Sequence, residues 1–242
     1  MARCWLADGR CGRIGTPCPS RRCVAREIRR LHDRRWRDKL GLLVVEGEDL
    51  VEAAHDAGIE PVELLVADDN VAPALLAEVS TLAHPPRAVG VYRRNDLPHG
   101  TRQVTLALWR VADPGNVGTL VRSADAFGAA LALSPGCADP TSPKALRASM
   151  GAIFRVPLGG FDEPNGRRVA LVPRGGVALQ ELELDGKVVL VLGGEREGLP
   201  QHVLGTCEVR ASIPQSAVAD SLNVAMAGAI ALYELARRAH RP

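Results

Sequence analysis

Short apolar runs alternate with amphipathic segments along most of the chain. Apolar spacing predicts a helix over residues 24–41 that ends at Gly41, and then strands and helices in turn with the sequences LLVVEG, EDLVEAAHDAG, PVELLVA, APALLAEVSTL and RAVGVYRR. Residues 94–103, RNDLPHGTRQ, have the Pro, Gly and polar content of a linker. The pattern therefore predicts a small α/β domain in residues 24–96.

The pattern lengthens into a larger α/β unit over residues 104–242. Its strands VTLALW, AALALS, RVALVP and KVVLVLGGE are nearly continuous apolar runs, and they alternate with segments of helical spacing. Such alternation indicates a mostly parallel sheet covered on both faces. Because ligands collect at the carboxyl ends of parallel strands, chemistry is expected in the loops after Trp109, Leu192 and Val209.

Composition excludes several classes of protein. At 242 residues, the chain is long enough for one average domain and a smaller one. Aromatic residues make up 3% of it, so the core is expected to consist of Ala, Val and Leu. No apolar run reaches the roughly 20 residues of a membrane span, and the N-terminus lacks the apolar centre of a secretory signal. A cytoplasmic protein with no membrane partner is therefore expected.

Basic charge is concentrated at the N-terminal end. Residues 1–40 hold 12 Lys and Arg against 4 Asp and Glu, a net charge of +8, whereas residues 41–242 hold 18 against 24, a net charge of −6. Such a run either binds a polyanion or is a solvated tail. The four cysteines of this stretch are too loosely spaced for a zinc site, so no metal is expected. Residues 1–23 are expected to be a disordered leader, or a stretch upstream of the true start.

The three loops at the expected carboxyl edge are weak signals when each is taken alone. RVADPGNVGTLVR lacks the GxGxxG of a dinucleotide site, and its Arg122 could simply face solvent. The glycines of VLVLGGEREGLP allow a close backbone approach, yet Glu195 could be a solvated acid. Ser221 and Asn223 stand before an apolar helix, where both residue types are favoured as caps.

Taken together and in order, however, three segments resemble the three motifs of the SpoU (TrmH-like) branch of the SPOUT RNA methyltransferases. These segments are NVGTLVRSADAFG, LVLGGEREGL and IPQSAVADSLNVAMAGAIALYE. The intervening DPTSPKALRASMGAIFRVPL is similar to the same region of ribosomal RNA members, and residues 24–96 resemble their small substrate-binding domain. The resemblance covers roughly residues 24–238 and leaves out the leader.

The resemblance implies a fold, a reaction and an assembly. The fold is a SPOUT-type α/β domain with a C-terminal trefoil knot, preceded by a small α/β RNA substrate-binding domain. The reaction is methyl transfer from S-adenosyl-L-methionine to ribose 2′-oxygens of RNA, with ribosomal RNA as the expected substrate. Family members are typically homodimers packed through the knotted region, which would cover the apolar face of residues 222–235.

The resemblance also assigns site residues. The catalytic side chains are the polar residues of the three motifs: Arg122, Asn116, Glu195, Ser221 and Asn223. The cofactor-binding positions lie in the second and third motifs: Gly193, Gly194, Gly198, Leu199, Ile213 and Leu222. Beside them, the basic first helix (Arg26, Arg29, Arg30, Arg34, Arg35 and Arg37) favours a nucleic-acid substrate. The candidate RNA contacts are Arg147, Arg30, Arg34 and Arg35.

Ribose methylation requires the oxygen, methyl and sulfur atoms to be aligned, and the charge that develops on the oxygen to be stabilised. Arg122 is not expected to be a general base, because a guanidinium stays protonated in proteins. We expect it to contact the ribose hydroxyl or its adjacent phosphate. Many relatives read Gly-Asn-Glu-Gly where this chain has GGER, with Gly194 and Arg196, which argues against a side-chain contact at 194 and leaves its backbone role.

Three alternatives stay open at this point. The chain could bind RNA without catalysis, although its motif residues are complete. It could act on transfer RNA instead of ribosomal RNA. It could also be a small-molecule α/β enzyme, which the basic first helix argues against. Arg147 could equally be a surface residue on its helix.

Overall fold

The structure of the protein, a computed structural model, describes residues 21–183, 185–195, 197–216 and 221–239. Its backbone divides into two compact units. Unit 1 comprises the described chain up to Leu97 together with Thr141–Phe154, and unit 2 comprises Pro98–Pro140 and the described residues from Arg155 onward. Most of the expected leader, with three of its four cysteines, lies outside the described residues. Its last three residues, 21–23, belong to the first helix rather than to a disordered segment.

The described helices, in chain order, are α1 (Arg21–Arg30), α2 (Arg34–Leu40), α3 (Glu48–Asp56), α4 (Pro73–Val79), α5 (Pro114–Ala126), α6 (Pro143–Ser149), α7 (Gln201–Leu204) and α8 (Val224–Ala239). The described strands are β1 (Leu42–Glu46), β2 (Glu63–Val66), β3 (Ala88–Arg93), β4 (Val104–Trp109), β5 (Ala130–Leu133), β6 (Leu158–Gly160), β7 (Arg167–Leu171), β8 (Val177–Ala178), β9 (Val188–Gly193) and β10 (Val209–Ser212).

Within the described residues, unit 1 is built on a three-stranded antiparallel sheet with the order β1-β3-β2. Strand β1 is buried at every position, which agrees with its unbroken apolar sequence LLVV. The core of the unit joins the sheet to helices α1 and α4, and it includes Ile28, Val44, Leu76 and Val91. From Leu42 to Arg93, the described strands and helices therefore agree with the elements that the sequence pattern predicts.

The prediction of one helix over residues 24–41 is wrong, because the chain forms two helices there. The carboxylate of Asp33 accepts a hydrogen bond from the Arg35 backbone N–H at 2.8 Å and caps α2. The Arg37 side chain is 2% exposed, and its Nη1 donates to the carbonyl oxygens of Leu31 and His32, both at 2.8 Å. Arg37 therefore satisfies carbonyl groups after α1 and is not a surface cation for RNA.

The segment Thr141–Phe154 leaves the larger sheet and packs within unit 1. Arg147 in α6 places its Nη1 3.4 Å from Oε2 of Glu46, at the end of β1. Phe154 lies against Tyr92 of β3, with 5.6 Å between the ring centroids. The region that separates the first two motifs in sequence therefore contributes to the core of unit 1.

Unit 2 is built, in the part of the chain that the structure describes, on a seven-stranded parallel sheet with the order β6-β5-β4-β9-β7-β10-β8. This confirms the predicted parallel α/β fold. Helix α5 buries Val117, Leu120 and Val121, which lie on one face at helical spacing. Because all strands run the same way, the loops after β4, β7, β9 and β10 meet at one edge.

Strand β9 enters the sheet between β4 and β7, both of which precede it in the chain. The trefoil knot that the family resemblance implies stays a prediction. Among the described residues, no helix combines the length and apolar character needed to cross a membrane.

Candidate active site

A cavity of about 650 Å³, here called the first cavity, opens at the carboxyl edge of the parallel sheet. It lies between the ends of β7 and β9 and the start of α8. All six positions expected to bind a cofactor line it: Gly193, Gly194, Gly198, Leu199, Ile213 and Leu222. The fold therefore brings together residues that belong to two separate sequence motifs.

Sequence reasoning missed one wall of this cavity, which Leu171, Val172 and Pro173 form. The sequence RVALVP contained the signal, because an apolar strand of a parallel sheet ends at the same edge as its neighbours. That β7 lies directly beside β9 follows only from the sheet order. This wall of the cavity could therefore not be assigned from the sequence alone.

The turn after β9 is tight because Gly193 has no side chain. A Cβ at Gly193 would lie 2.3 Å from the carbonyl carbon of Gly198 and 2.5 Å from its oxygen. The turn is closed by a hydrogen bond from the Gly198 N–H to the Gly194 oxygen at 3.0 Å. Arg196, where the chain departs from the family pattern, lies outside the described residues. The absence of a side chain at Gly193 thus allows the two arms of the turn to pack closely against each other.

Three of the expected catalytic side chains are joined by hydrogen bonds. Nδ2 of Asn116 donates to Oε1 of Glu195 at 2.5 Å, and Nδ2 of Asn223 donates to Oδ1 of Asn116 at 3.2 Å. The three residues come from the three separate motifs, and they form the polar cluster of the site. Asn116 is its centre, because its amide bonds to both of the others.

Helix ends hold this polar cluster in place. Asp113 caps α5 by accepting from the Asn116 backbone N–H at 3.0 Å. Oδ1 of Asn223 accepts from the backbone N–H groups of Ala225 at 2.9 Å and Met226 at 3.3 Å, at the start of α8. Asn223 is therefore both a helix cap and a member of the cluster, so the cap is compatible with the catalytic role that the resemblance implies, and that role stays a prediction.

The two remaining catalytic candidates, Ser221 and Arg122, differ in whether they line a cavity of the site. Ser221 is exposed and lines the first cavity. Arg122 is exposed on α5, lines neither this cavity nor its neighbour, and has no hydrogen bond or ion pair among the described residues. A single chain therefore does not place Arg122 in the polar cluster.

A second cavity of about 910 Å³ adjoins the first. The two share Gly194, Glu195, Glu197 and Gly198 as lining residues. The other described residues that line the second cavity come from the end of β4, the loops after β4 and β5, and the start of α5: Trp109, Arg110, Ala112, Asp113, Asn116, Pro135 and Gly136. Asn116 and Glu195 therefore stand where a molecule in the second cavity would meet one in the first.

The arginines expected to bind RNA are mostly paired within unit 1. Nη1 of Arg30 donates to both carboxylate oxygens of Glu27 at 2.9 Å, and Nε of Arg34 lies 3.5 Å from Oδ2 of Asp38. Arg147 of α6 pairs with Glu46 at the end of β1. Only Arg35 of this set has an exposed side chain without a partner among the described residues.

Comparisons with known proteins find relatives of both parts of the chain. Residues 103–233 match the family model of the SpoU rRNA Methylase family, and residues 24–92 match the MRM3-like substrate binding domain. The chain is 30% identical to the 23S rRNA (guanosine(2553)-2′-O)-methyltransferase RlmP of Bacillus subtilis, over 87% of this chain and 94% of that protein. It is also 30% identical to an uncharacterized tRNA/rRNA methyltransferase of Synechocystis, over 89% of this chain and 91% of that protein.

A solved structure extends the comparison to the fold. The crystal structure of an AdoMet-bound rRNA methyltransferase from Sinorhizobium meliloti matches with a TM-score of 0.79 at 29% identity, covering 90% of this chain and 95% of that one. The parallel sheet and the site at its carboxyl edge, with these relatives, define an S-adenosylmethionine-dependent RNA 2′-O-ribose methyltransferase. The chain belongs to the SpoU rRNA methylase family.

The first cavity fits S-adenosylmethionine in its chemistry. Leu171, Leu192 and Ile213 give it apolar walls that suit an adenine ring. Three glycines, Gly193, Gly194 and Gly198, line it, so a ligand there would meet backbone amide and carbonyl groups in place of side chains. The carboxylate of Glu195 stands at the side shared with the second cavity, where it would face the positive sulfonium.

Proposed function

We propose that this enzyme methylates a ribose of ribosomal RNA, with the cofactor in the first cavity and the RNA in the second. The single observation that carries the proposal is the hydrogen bond between Asn116 and Glu195, which lies at the boundary of the two cavities. A methyl group in one cavity and a hydroxyl in the other would meet there. Ribosomal RNA is preferred because RlmP and the Sinorhizobium enzyme, both named for rRNA, match along nearly their whole lengths.

When bound, S-adenosylmethionine supplies an electrophilic methyl group on a positively charged sulfur. The residues of the chain then have to hold the ribose hydroxyl in line with that methyl. Glu195 has one carboxylate oxygen engaged by Asn116, and we assign its other oxygen to accept a hydrogen bond from the 2′-hydroxyl. Asn223 fixes the amide of Asn116, so the orientation of Glu195 depends on all three motifs.

We assign Arg122 to the charge that develops on the ribose oxygen. Its guanidinium stays protonated and stabilises the negative charge on that oxygen, or an adjacent phosphate, while the hydroxyl proton passes along its hydrogen bond to the free carboxylate oxygen of Glu195. Because Arg122 lines neither cavity of its own chain, we further propose that it serves the site of a second chain.

A second copy of the chain is the proposed cover for the outer face of α8. Met226, Ile230 and Tyr233 are 57%, 37% and 56% exposed, and they follow one another at helical spacing. Phe127, which follows α5 directly, lies edge-on to Tyr233 with 6.2 Å between the ring centroids. Phe127, at the end of α5, therefore adjoins this apolar face, and an exposed apolar face of this kind suits a symmetric dimer contact.

Within unit 1, we propose that Arg34 and Arg35 contribute to RNA binding. Both side chains are exposed, and the ion pair of Arg34 with Asp38 at 3.5 Å is an exposed pair that phosphate can replace. Arg30 and Arg147 are also candidate RNA contacts. Because they pair with Glu27 and Glu46, we assign them a smaller contribution to RNA binding.

The function is tested by transfer of labelled methyl from S-adenosylmethionine to unmodified bacterial RNA, with the product mapped by ribose-methylation sequencing. We expect label at one ribose of ribosomal RNA, and loss of that label in Arg122→Ala with cofactor affinity unchanged. Arg210→Ala, at an exposed arginine of β10 outside both cavities, is the matched control and should behave as wild type. Label in transfer RNA in place of ribosomal RNA would contradict the proposed substrate. Full activity of Arg122→Ala would contradict the proposed catalytic role of Arg122.

The assembly is tested by complementation. Arg122→Ala and Glu195→Ala are each expected to be inactive, and their mixture should regain about a quarter of wild-type activity if each site combines residues of two chains. No recovery after exchange of subunits would show that Arg122 acts within its own chain.

Ile230→Asp should yield monomers in sedimentation, and a stable Ile230→Asp dimer would contradict the proposed contact.

A further inference from the structure

Arg110, the first residue after β4, has a left-handed backbone with φ of +50°. A residue with a side chain rarely adopts this conformation, because its Cβ crowds the neighbouring carbonyl oxygen. Strained residues of this kind cluster at functional sites. Arg110 is one of the residues that line the second cavity, beside Asn116 and Glu195.

Contacts on two sides fix the backbone of Arg110. Its N–H donates to Oγ of Ser134 at 3.0 Å, and the Gly194 N–H donates to the Trp109 oxygen at 2.8 Å. A Cβ at Gly194 would lie 2.5 Å from the Arg110 carbonyl oxygen, so the two backbones approach closely only because position 194 is glycine. Arg110 is therefore held at a set position relative to Glu195, which follows Gly194.

The side chain of Arg110 reaches into the mouth of the second cavity. Its Cζ lies 5.8 Å from the centroid of the Trp109 ring, and its Nη1 lies 4.0 Å from Oε2 of Glu197. The side chains of Arg110 and Glu197 are 61% and 81% exposed. An exposed pair at this distance is weak, so a stronger anion can replace the carboxylate.

Charge gives Arg110 a particular place in this cavity. Three carboxylates line it, from Asp113, Glu195 and Glu197, and Arg110 is the only cation among its described lining residues. An RNA chain brings a phosphodiester on each side of the target ribose, and the carboxylates repel both. A cation at the mouth would offset this repulsion for an incoming RNA backbone.

We propose that Arg110 binds a phosphodiester of the RNA backbone next to the methylated ribose. Glu197 holds the guanidinium at the cavity mouth until the phosphate takes its place. The inference rests on the function proposed above, because it takes the second cavity as the RNA side of the site. It concerns a binding residue, separate from the alkoxide contact assigned to Arg122.

The test is Arg110→Gly, which removes the guanidinium and suits the left-handed backbone, so the fold is preserved. With ribosomal RNA as substrate, we expect the KM for RNA to rise about tenfold while kcat and the KM for S-adenosylmethionine stay within about twofold. The slope of log kcat/KM against log salt should become shallower by about 0.7 to 0.9, the value for one phosphate contact. Arg110→Lys should keep the wild-type slope, and Arg210→Ala should match wild type throughout.

An unchanged RNA KM and salt slope in Arg110→Gly would overturn the proposal, as would an equal loss in kcat and cofactor affinity. Glu197→Gln should lower the RNA KM in both chains, because it removes a carboxylate that repels phosphate. The fall should be larger in the wild-type chain, where the substitution also releases Arg110. The same gain in both chains would show that Glu197 acts on RNA directly, against the holding role. If wild type transfers no methyl, the proposed function fails, and filter binding of the same RNA to wild type and Arg110→Gly still decides whether Arg110 binds phosphate.

Discussion

Asn116 and Glu195, which are 79 positions apart in sequence, share a hydrogen bond of 2.5 Å from the amide nitrogen to a carboxylate oxygen. The other end of the Asn116 amide accepts from Asn223 at 3.2 Å. One amide therefore sets the position of the acid at the boundary of the two cavities. The site depends on its orientation as much as on the presence of each residue.

Replacing Asn116 by Asp should show this dependence. Asn116→Asp has nearly the same shape, but it places a second carboxylate against Glu195 and removes the donated hydrogen bond. We expect kcat to fall about a hundredfold, the scale found when one oriented donor is lost from an active site. Methyl-transfer kinetics measure the change, and calorimetric titration with S-adenosylmethionine is the control. A kcat near that of wild type would remove Asn116 from the mechanism.

Asn223 allows its two roles to be separated. Asn223→Asp keeps an oxygen to cap α8 but loses the amide that donates to Asn116, whereas Asn223→Ala loses both. We expect Asn223→Ala to be destabilised by about 1 kcal/mol, and Asn223→Asp to unfold like wild type while losing activity. Thermal unfolding and methyl transfer are measured on both variants. An active Asn223→Asp would leave only the capping role.

Gly193→Ala should weaken cofactor binding. The new Cβ would lie 2.3 Å from a backbone carbon of Gly198, and backbone cannot move aside as a flexible side chain does. The turn must then shift and change the wall of the first cavity that it forms, and we expect affinity for S-adenosylmethionine to fall at least about tenfold. Titration calorimetry measures it. Gly205→Ala, at the end of α7 outside both cavities, is the control, and equal losses in the two variants would point to general destabilisation.

Arg147→Met distinguishes a stabilising role from an RNA contact. The Glu46 side chain is 2% exposed, and Arg147 reaches it at 3.4 Å. Because Arg147 itself is 38% exposed, solvent weakens this pair, and we expect a loss of about 1 kcal/mol in the free energy of unfolding. Urea unfolding gives the stability, and methyl transfer gives the RNA KM. A raised RNA KM without any loss of stability would instead support the RNA contact.

High pH should destabilise unit 1 through Tyr92. Burial, helped by the charge of Glu60, raises the pKa of Tyr92 from 10.0 to about 12. The folded chain therefore favours the neutral phenol, so this contribution to stability is complete below pH 10 and is lost as the pH rises through 12, by up to about 2–3 kcal/mol. Unfolding of wild type and Tyr92→Phe is compared from pH 9 to pH 12. If the free energy of unfolding changed with pH in the same way in both chains, the raised pKa of Tyr92 would be contradicted.

The sequence by itself determined the element types, the parallel sheet and the three motifs. Apolar strands and helix spacing are local properties, so they are visible without any knowledge of which elements touch. The family resemblance, and not local periodicity, assigned six positions to the cofactor. They line one cavity, because motif residues that follow parallel strands meet at one edge of the sheet. Asn223 could also be read from sequence as a cap, which it is.

Only the tertiary structure decided which side chains are engaged. Arg37 resembles its basic neighbours in sequence, yet it is buried against carbonyl groups after α1. Arg147 faces Glu46 from a segment about a hundred residues later. Arg122 carries a motif signature but lines neither cavity of its chain. Burial and pairing of a charged group depend on contacts between distant segments, and local periodicity holds no record of them.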